Sequence, residues 1–197
     1  MAKLVYYIAA TIDGYIAGPG GEFDFFPLEP DMMVALNEQF PETVPTHFRK
    51  QAGVDGVPNR RFGTVVMGRA TYQVGLDEGV TSPYGALRQI VFSRTLPPSL
   101  PSDDEVAIVG SDPVAYVAGL KREADHDIWL CGGARLAGVL YDEIDELIIK
   151  RYPVTAGAGI PMISGSFTPA RFTVADRQTF ASGADILTCV RAGENVL

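Results

Sequence analysis

Residues 128–141 read IWLCGGARLAGVLY: an apolar run stops at Gly132-Gly133, and a helix-period pattern carrying Arg135 begins at once. Four consecutive apolar residues match a strand buried on both faces, and the switch to spacings of three and four matches a helix folding back over it. Glycine at the junction lets the backbone approach a ligand closely, because no side chain stands in the way. The same form occurs twice more, in RFGTVVMGRATYQVG at 61–75, where Gly68 and Arg69 follow the strand, and in RQIVFSRTLPPSLP at 88–101, where Ser93, Arg94 and Thr95 follow it.

Working outward, EVAIVG at 105–110 is a short strand, and SDPVAYVAGLKREA at 111–124 is a helix with Ser111 or Asp112 as cap and Pro113 in its first turn. Leu4 to Ala10 is a buried strand. The Gly-, Pro- and aromatic-rich stretch 11–30 is a long ordered loop suited to covering a site, and Asp31 caps a helix over MMVALNEQF. Residues 41–58 are irregular with one short helix. IDELIIKRYPV is a strand, TAGAGIPMISG a loop, and ARFTVADRQTF pairs with ADILTCVRA around Ser182-Gly183. Strands alternating with helices predict an α/β fold: a mainly parallel central sheet, helices on both faces, and a C-terminal antiparallel hairpin. With 197 residues and no interdomain linker, residues 1–197 are expected to form a single domain.

Composition excludes several classes. The hydrophobic share is 47% and the charged share 20%, which is globular rather than disordered. No apolar run reaches the roughly 20 residues of a membrane span, and the start of the chain lacks a basic leader, so a cytoplasmic protein without membrane partners is expected. Cys131 and Cys189 sit in strand-like runs as free thiols, and no zinc spacing exists. A formal charge of −8 opposes nucleic acid, whose phosphates require many basic contacts. An anionic ligand therefore needs positive charge gathered locally.

A parallel sheet supplies that gathering. It brings Arg69, Arg94 and Arg135 to one rim, beside helix starts whose unpaired amides and partial positive charge hold phosphate. Gly68, Gly132 and Gly133 keep the approach clear to the amides of Ala134, Arg135 and Leu136. There is no GxGxxG and no GxxxxGK[ST], so neither dinucleotide fingerprint nor Walker loop is present.

VVMGRATY at 65–72, QIVFSRTL at 89–96 and WLCGGARLAGVLY at 129–141 resemble, in this order, the cofactor-contacting turns of dihydrofolate reductases. YYIAATIDGYIAG at 6–18 and YPVTAGAGIPMI at 152–163 are more similar to the reductase domain of the riboflavin-pathway deaminase-reductases. The resemblance implies a three-layer dihydrofolate reductase-like fold that binds NADPH. It implies an adenosine 2′-phosphate near Arg69, Ser93, Arg94 and Thr95, and pyrophosphate on the helix starts that include Gly68, Ala70, Gly132, Gly133 and Ala134. Thr71 matches the hydroxyl of the first phosphate-binding helix, and the nicotinamide lies against Ala9 and Ile16. Ala70 and Ala137 stand where dihydrofolate reductases carry larger side chains, which points away from folate. Homodimerisation is implied by the riboflavin-pathway relatives.

Hydride transfer is chemistry that such a cofactor carries, so the chain has only to align the reactants and relay a proton. Asp31 is near the position where the folate enzymes carry a carboxylate, and Asp13-Gly14 shapes the nicotinamide pocket; both are candidate catalytic residues. Phe25 and Phe26, with Phe23, suit the wall of a planar substrate, while Lys150 and Arg151 adjoin the cleft and suit an anionic group. His47 and His126 read as surface residues and Trp129 as core. The reading is an NADPH-dependent reductase of a small heterocyclic, carbonyl or imine substrate. The alternative is an NADP(H)-binding sensor without turnover.

Overall fold

The computed structural model describes residues 1–97 and 106–193. The tail of RQIVFSRTLPPSLP from 98 onward, Glu105 at the head of EVAIVG, and residues 194–197 lie outside the described residues.

In chain order the elements are β1 (Leu4–Ala10), β2 (Tyr15–Ala17), α1 (Pro30–Gln39), β3 (Phe62–Gly68), α2 (Arg69–Asp77), β4 (Arg88–Phe92), β5 (Val106–Val109), α3 (Pro113–Glu123), β6 (Asp127–Gly132), α4 (Ala134–Val139), β7 (Ile144–Arg151), β8 (Ile160–Pro161), β9 (Phe172–Thr179) and β10 (Asp185–Arg191). Eight strands form one sheet in the order β5-β4-β3-β6-β1-β7-β10-β9. Strands β5 to β7 in this order run parallel, and the hairpin β9–β10 joins antiparallel through β10.

The two faces are covered by different helices. Met32 and Leu36 of α1 and Tyr72 of α2 pack on Val5, Tyr7, Val65, Met67, Trp129 and Ile148. Val117 and Leu120 of α3, with Leu136 and Ala137 of α4 and Leu140 just after it, pack on Leu4, Tyr6, Val66, Ile90, Ile128 and Leu130. Successive residues of β1, β3 and β6 thus serve opposite cores, which explains why these strands are apolar throughout. Burial of a large aliphatic or aromatic side chain contributes about 1.5–3 kcal/mol, so the two layers carry most of the stability.

Adjacent strands β3 and β6 therefore send their chains to opposite faces, β3 into α2 and β6 into α4. A crevice opens between such strands at their carboxyl ends.

Three expectations change. Asp31 does not cap α1: Glu29 holds the N-cap position without a side-chain bond and Pro30 opens the helix, its missing N–H costing nothing there. Instead, the Asp31 carboxylate accepts from its neighbour Met32 N at 2.9 Å and from Ala181 N of the β9–β10 turn at 3.3 Å. Both loops read as irregular contain a short strand, β2 and β8, which pair as a separate two-stranded sheet. Two or three residues are too few to display a period of two. Residues 41–48 hold two single helical turns, Pro41–Thr43 and Thr46–Phe48, rather than one helix.

The irregular segment is held by two buried charges. Glu42 is fully buried and its carboxylate accepts from the amides of Arg60, Arg61 and Phe62 at 3.1, 2.9 and 2.7 Å. Arg49 donates to the carbonyls of Pro41, Val54 and Val57 at 2.6, 2.8 and 3.1 Å. Each replaces the backbone partners that a regular element would supply. Glu42→Ala leaves three amides without an acceptor, and equilibrium chemical denaturation is expected to show a loss of about 3–5 kcal/mol, with Glu42→Gln losing less.

Candidate functional site

The turns after β3 and β6 touch. A side chain placed on Gly68 would meet Gly132 O, Gly133 N and Leu136 Cβ at 3.6 Å, and one on Gly133 would meet Thr71 Oγ1 at 3.4 Å. The Thr71 hydroxyl thus faces the Gly132-Gly133 turn. That peptide bond is cis, and Gly132 has φ 129°, a conformation in which an L side chain is strained.

Helices α2 and α4 begin at Gly68 and Gly133 with no side-chain cap, whereas the amide of Val114 in α3 is capped by Asp112 at 2.9 Å. The first amides of α2 and α4, including those of Arg69, Ala70, Thr71, Ala134, Arg135 and Leu136, meet at one edge with no capping oxygen. The Ala134 and Leu136 side chains are buried, so only their backbone is offered; Arg135 and Ala70 are exposed. At the third turn, Ser93 is buried, and its Oγ accepts from the amides of Thr95 at 3.2 Å and Leu96 at 3.0 Å. Ser93, Arg94, Leu96, Ile108 and Gly110 line a shallow depression there. The hydroxyl of Ser93 braces the turn while Arg94 and Thr95 stand exposed.

Arg69, Arg94 and Arg135 are exposed and make no ion pair among the described residues. At the opposite edge Lys3 and Arg61 pair with Glu146 at 3.4 and 2.8 Å, and Lys121 pairs with Asp145 at 2.8 Å. A second depression, at 63–64, 88 and 123–126, lies at that amino edge, away from the glycine turns. In a chain of charge −8, guanidinium groups left unpaired beside open helix starts suit a ligand carrying several phosphates.

The rest of the site lies on the α1/α2 face at the carboxyl end of β1 and β7. Ala9 and Lys150 are register partners, both partly exposed, and the Lys150 ammonium stands 4.4 Å from the centroid of the Tyr7 ring. Tyr84 lies edge-on to Trp129 at 4.8 Å, and its hydroxyl is 4.0 Å from Cys131 Sγ. Trp129 is 5% exposed and donates from its indole to Tyr7 O at 3.0 Å. Phe26 packs between Phe25 at 4.6 Å and Tyr152 at 5.0 Å, while Phe23 stands half in solvent. Burial pushes the Cys131 thiol up to about 11 and lowers the Lys150 ammonium to about 8, the neighbouring thiol partly opposing the latter. Lys150 has no carboxylate partner among the described residues.

The structure separates the two carboxylates from this cluster's proton chemistry. Asp13 is exposed and accepts three bonds, from Thr11 Oγ1 at 2.5 Å, Ala156 N at 3.1 Å and Gly157 N at 2.7 Å. The Thr11 hydroxyl first and the Gly157 amide next hold its carboxyl below the usual range, so it clamps the β1 loop to the β7 loop and is poorly matched to giving up a proton. Asp31 ties α1 to the terminal hairpin. Arg151 is likewise committed: it grips the buried Asp185 carboxylate through Nε at 3.0 Å and Nη2 at 2.6 Å, and Arg177 adds a second grip at 2.8 Å. Ile16 on β2 faces the same loop system, which Met162 N closes onto Gly14 O at 2.9 Å. The sequence reading missed Tyr7, Tyr84, Cys131 and Tyr152 as a group. Their only signal is alternation along the strands, which is identical for core and for pocket.

The comparisons bear on this geometry. The chain is 32% identical over 164 residues to the uncharacterized protein YwjB of Bacillus subtilis (strain 168), covering 81% of this chain and 82% of that one. A putative riboflavin biosynthesis protein from Shewanella sp. PV-4 superposes with TM-score 0.70 at 26% identity, over 98% of this chain and 99% of that one. The chain belongs to one family with YwjB and has the dihydrofolate reductase-like fold of the riboflavin biosynthesis proteins. RibD of Acinetobacter baumannii shares the fold, with TM-score 0.64 at 17% identity; 98% of this chain covers 58% of that longer one. No family model matches the chain. No described helix is long and apolar enough to cross a membrane.

Lys150 also yields a stability test. Its pKa is about 8 in the fold against 10.5 when free, so the folded state disfavours the charged form. That penalty is fully present below about pH 8 and fades as pH rises toward 10.5. Lys150→Met is expected to raise Tm at pH 7, with the gain shrinking between pH 8 and 10.5 in thermal melts.

Proposed function

We propose that the protein is a reductase that binds NADPH across the β3–β6 crevice and delivers hydride to a small heterocyclic, carbonyl or imine substrate. The observation that carries this reading is the meeting of two uncapped helix starts, through Gly68 and Gly132-Gly133, beside three unpaired arginines. The residues fit the group: the glycines keep the amides of α2 and α4 open, and Thr71 offers a hydroxyl between them. When bound, the cofactor supplies a hydride.

The chain's own residues divide the remaining tasks. Arg94, with Arg69 and the Ser93–Thr95 turn, holds the 2′-phosphate, and the amides at Gly133 to Leu136 and at Arg69 to Thr71 hold the pyrophosphate. Ala9, small and partly exposed, leaves room for a flat ring against β1, and Ile16 on the β2–β8 ribbon borders it. Phe25, Phe26 and Tyr152 wall the space beside it. The buried aromatic floor of Tyr7, Tyr84 and Trp129 excludes water from beneath the substrate. The match to riboflavin-pathway structures supports the placement of a heterocycle here.

A thermal-shift titration tests the reading: NADPH at about a hundredfold excess over its Kd is expected to stabilise the protein by about 2.7 kcal/mol, and a screen of carbonyl and pterin acceptors is expected to find NADPH oxidation. Arg94→Ala is expected to weaken NADPH roughly ten- to a hundredfold by isothermal titration while leaving NADH little changed, since a charged hydrogen bond of about 1.5–3 kcal/mol is lost only where the 2′-phosphate exists. Equal weakening of both nucleotides would remove Arg94 from that role.

A further inference from the structure

Hydride arriving at the carbon of a C=O or C=N bond sends the π electrons to the heteroatom, which then needs a proton. The two candidate carboxylates are engaged elsewhere, Asp13 by three donors and Asp31 by the α1 and hairpin amides. We propose that Lys150 is the proton donor, its ammonium protonating the substrate heteroatom from the carboxyl edge of β7, one strand from Ala9. This rests on the reductase reading above.

Three observations carry the assignment. Lys150 is the register partner of Ala9, so its side chain leaves β7 on the α1/α2 face one strand, about 4.8 Å, from Ala9. Its ammonium stands over the Tyr7 ring at 4.4 Å and has no carboxylate partner among the described residues to compete for the proton. The neighbouring hydroxyls and thiol hold their protons more tightly: burial raises Tyr7 on β1, Tyr84 before β4 and Cys131 on β6, and burial with Glu29 nearby raises Tyr152 after β7. A group near 8 is matched to donate at neutral pH and to recover its proton from solvent.

The step balances. The acceptor carbon gains a hydride from the reduced dinucleotide, which is oxidised by two electrons; the C=X π bond breaks, an X–H bond forms as an Nζ–H bond breaks, and Lys150 is left as a neutral amine. A permanent anion anchor would have no use for a cation so easily discharged. An arginine at this position would anchor equally and could not donate.

Two measurements test this. The first does not depend on turnover: amidination of the intact protein across pH, mapped by mass spectrometry, is expected to show Lys150 half-reactive near pH 8, well below an added N-acetyl-lysine amide standard. Lys150 titrating together with that standard, or staying unreactive throughout, overturns the proposal. The second compares two acceptors with NADPH, neutral benzaldehyde, which needs a proton, and N-methyl-3,4-dihydroisoquinolinium, which needs none. Lys150→Met and Lys150→Arg are both expected to lose about a hundredfold or more in kcat on the aldehyde while keeping wild-type rates on the iminium. Wild-type kcat/KM on the aldehyde falls as pH rises through about 8, and on the iminium stays flat. Variants that lose both substrates equally, lose neither, or change KM alone overturn the donor role and leave the reductase reading intact. Wild-type protein that oxidises NADPH with neither acceptor sinks the reductase reading and this proposal together.

Discussion

The site depends on the handedness of parallel connections. A strand-helix-strand crossover is right-handed, so the face on which its helix lies is set by the direction in which the chain moves across the sheet. Here the chain moves outward from β3 through α2 to β4, then returns from β5 through α3 to β6, and the helices of the two movements cover opposite faces. Because β6 inserts directly beside β3, two neighbouring strands release their chains in opposite directions. The glycine turns meet for that reason, and the opening between them follows from topology before any side chain is considered.

Charge completes what topology begins. Carboxylates outnumber basic groups, 24 to 16, and Lys3, Arg61 and Lys121 at the amino edge are consumed in ion pairs. Arg69, Arg94 and Arg135 at the carboxyl edge have no acid partner among the described residues. Exposed pairs contribute little to stability, so leaving these three unpaired sacrifices little and keeps a local positive field for an anion.

The α1/α2 face shows the opposite economy. Lys150 over the Tyr7 ring is costly to the folded state, and the cost persists at neutral pH because it has no acid partner among the described residues to relieve it. Such a group is retained at odds with stability, which is the usual mark of chemistry rather than packing. Asp13, by contrast, spends its charge on three donors and joins two loops.

Legibility followed the range of the forces involved. Continuous apolar runs, Gly132-Gly133, the Asp112 cap and the Ser182-Gly183 hairpin are local, so the amino acids alone determined the strands of the main sheet, the α/β class, and the three strand-end turns with their common edge. The β2–β8 pair, the burial of Glu42 under the amides of Arg60 to Phe62, and the true start of α1 at Pro30 involve partners distant in the chain, such as Tyr15 with Pro161, or too few residues to repeat a pattern. Asp31 read as a cap because capping is the commonest use of that residue type before an apolar run, yet Pro30 had already fixed the helix start. Only the tertiary structure decided that Lys150 lies over Tyr7 with no acid partner among the described residues, while the adjacent Arg151 turns to the other face and binds Asp185: alternation along one strand assigns them to opposite sides, but what each side meets is settled by strands and loops that arrive from elsewhere in the chain.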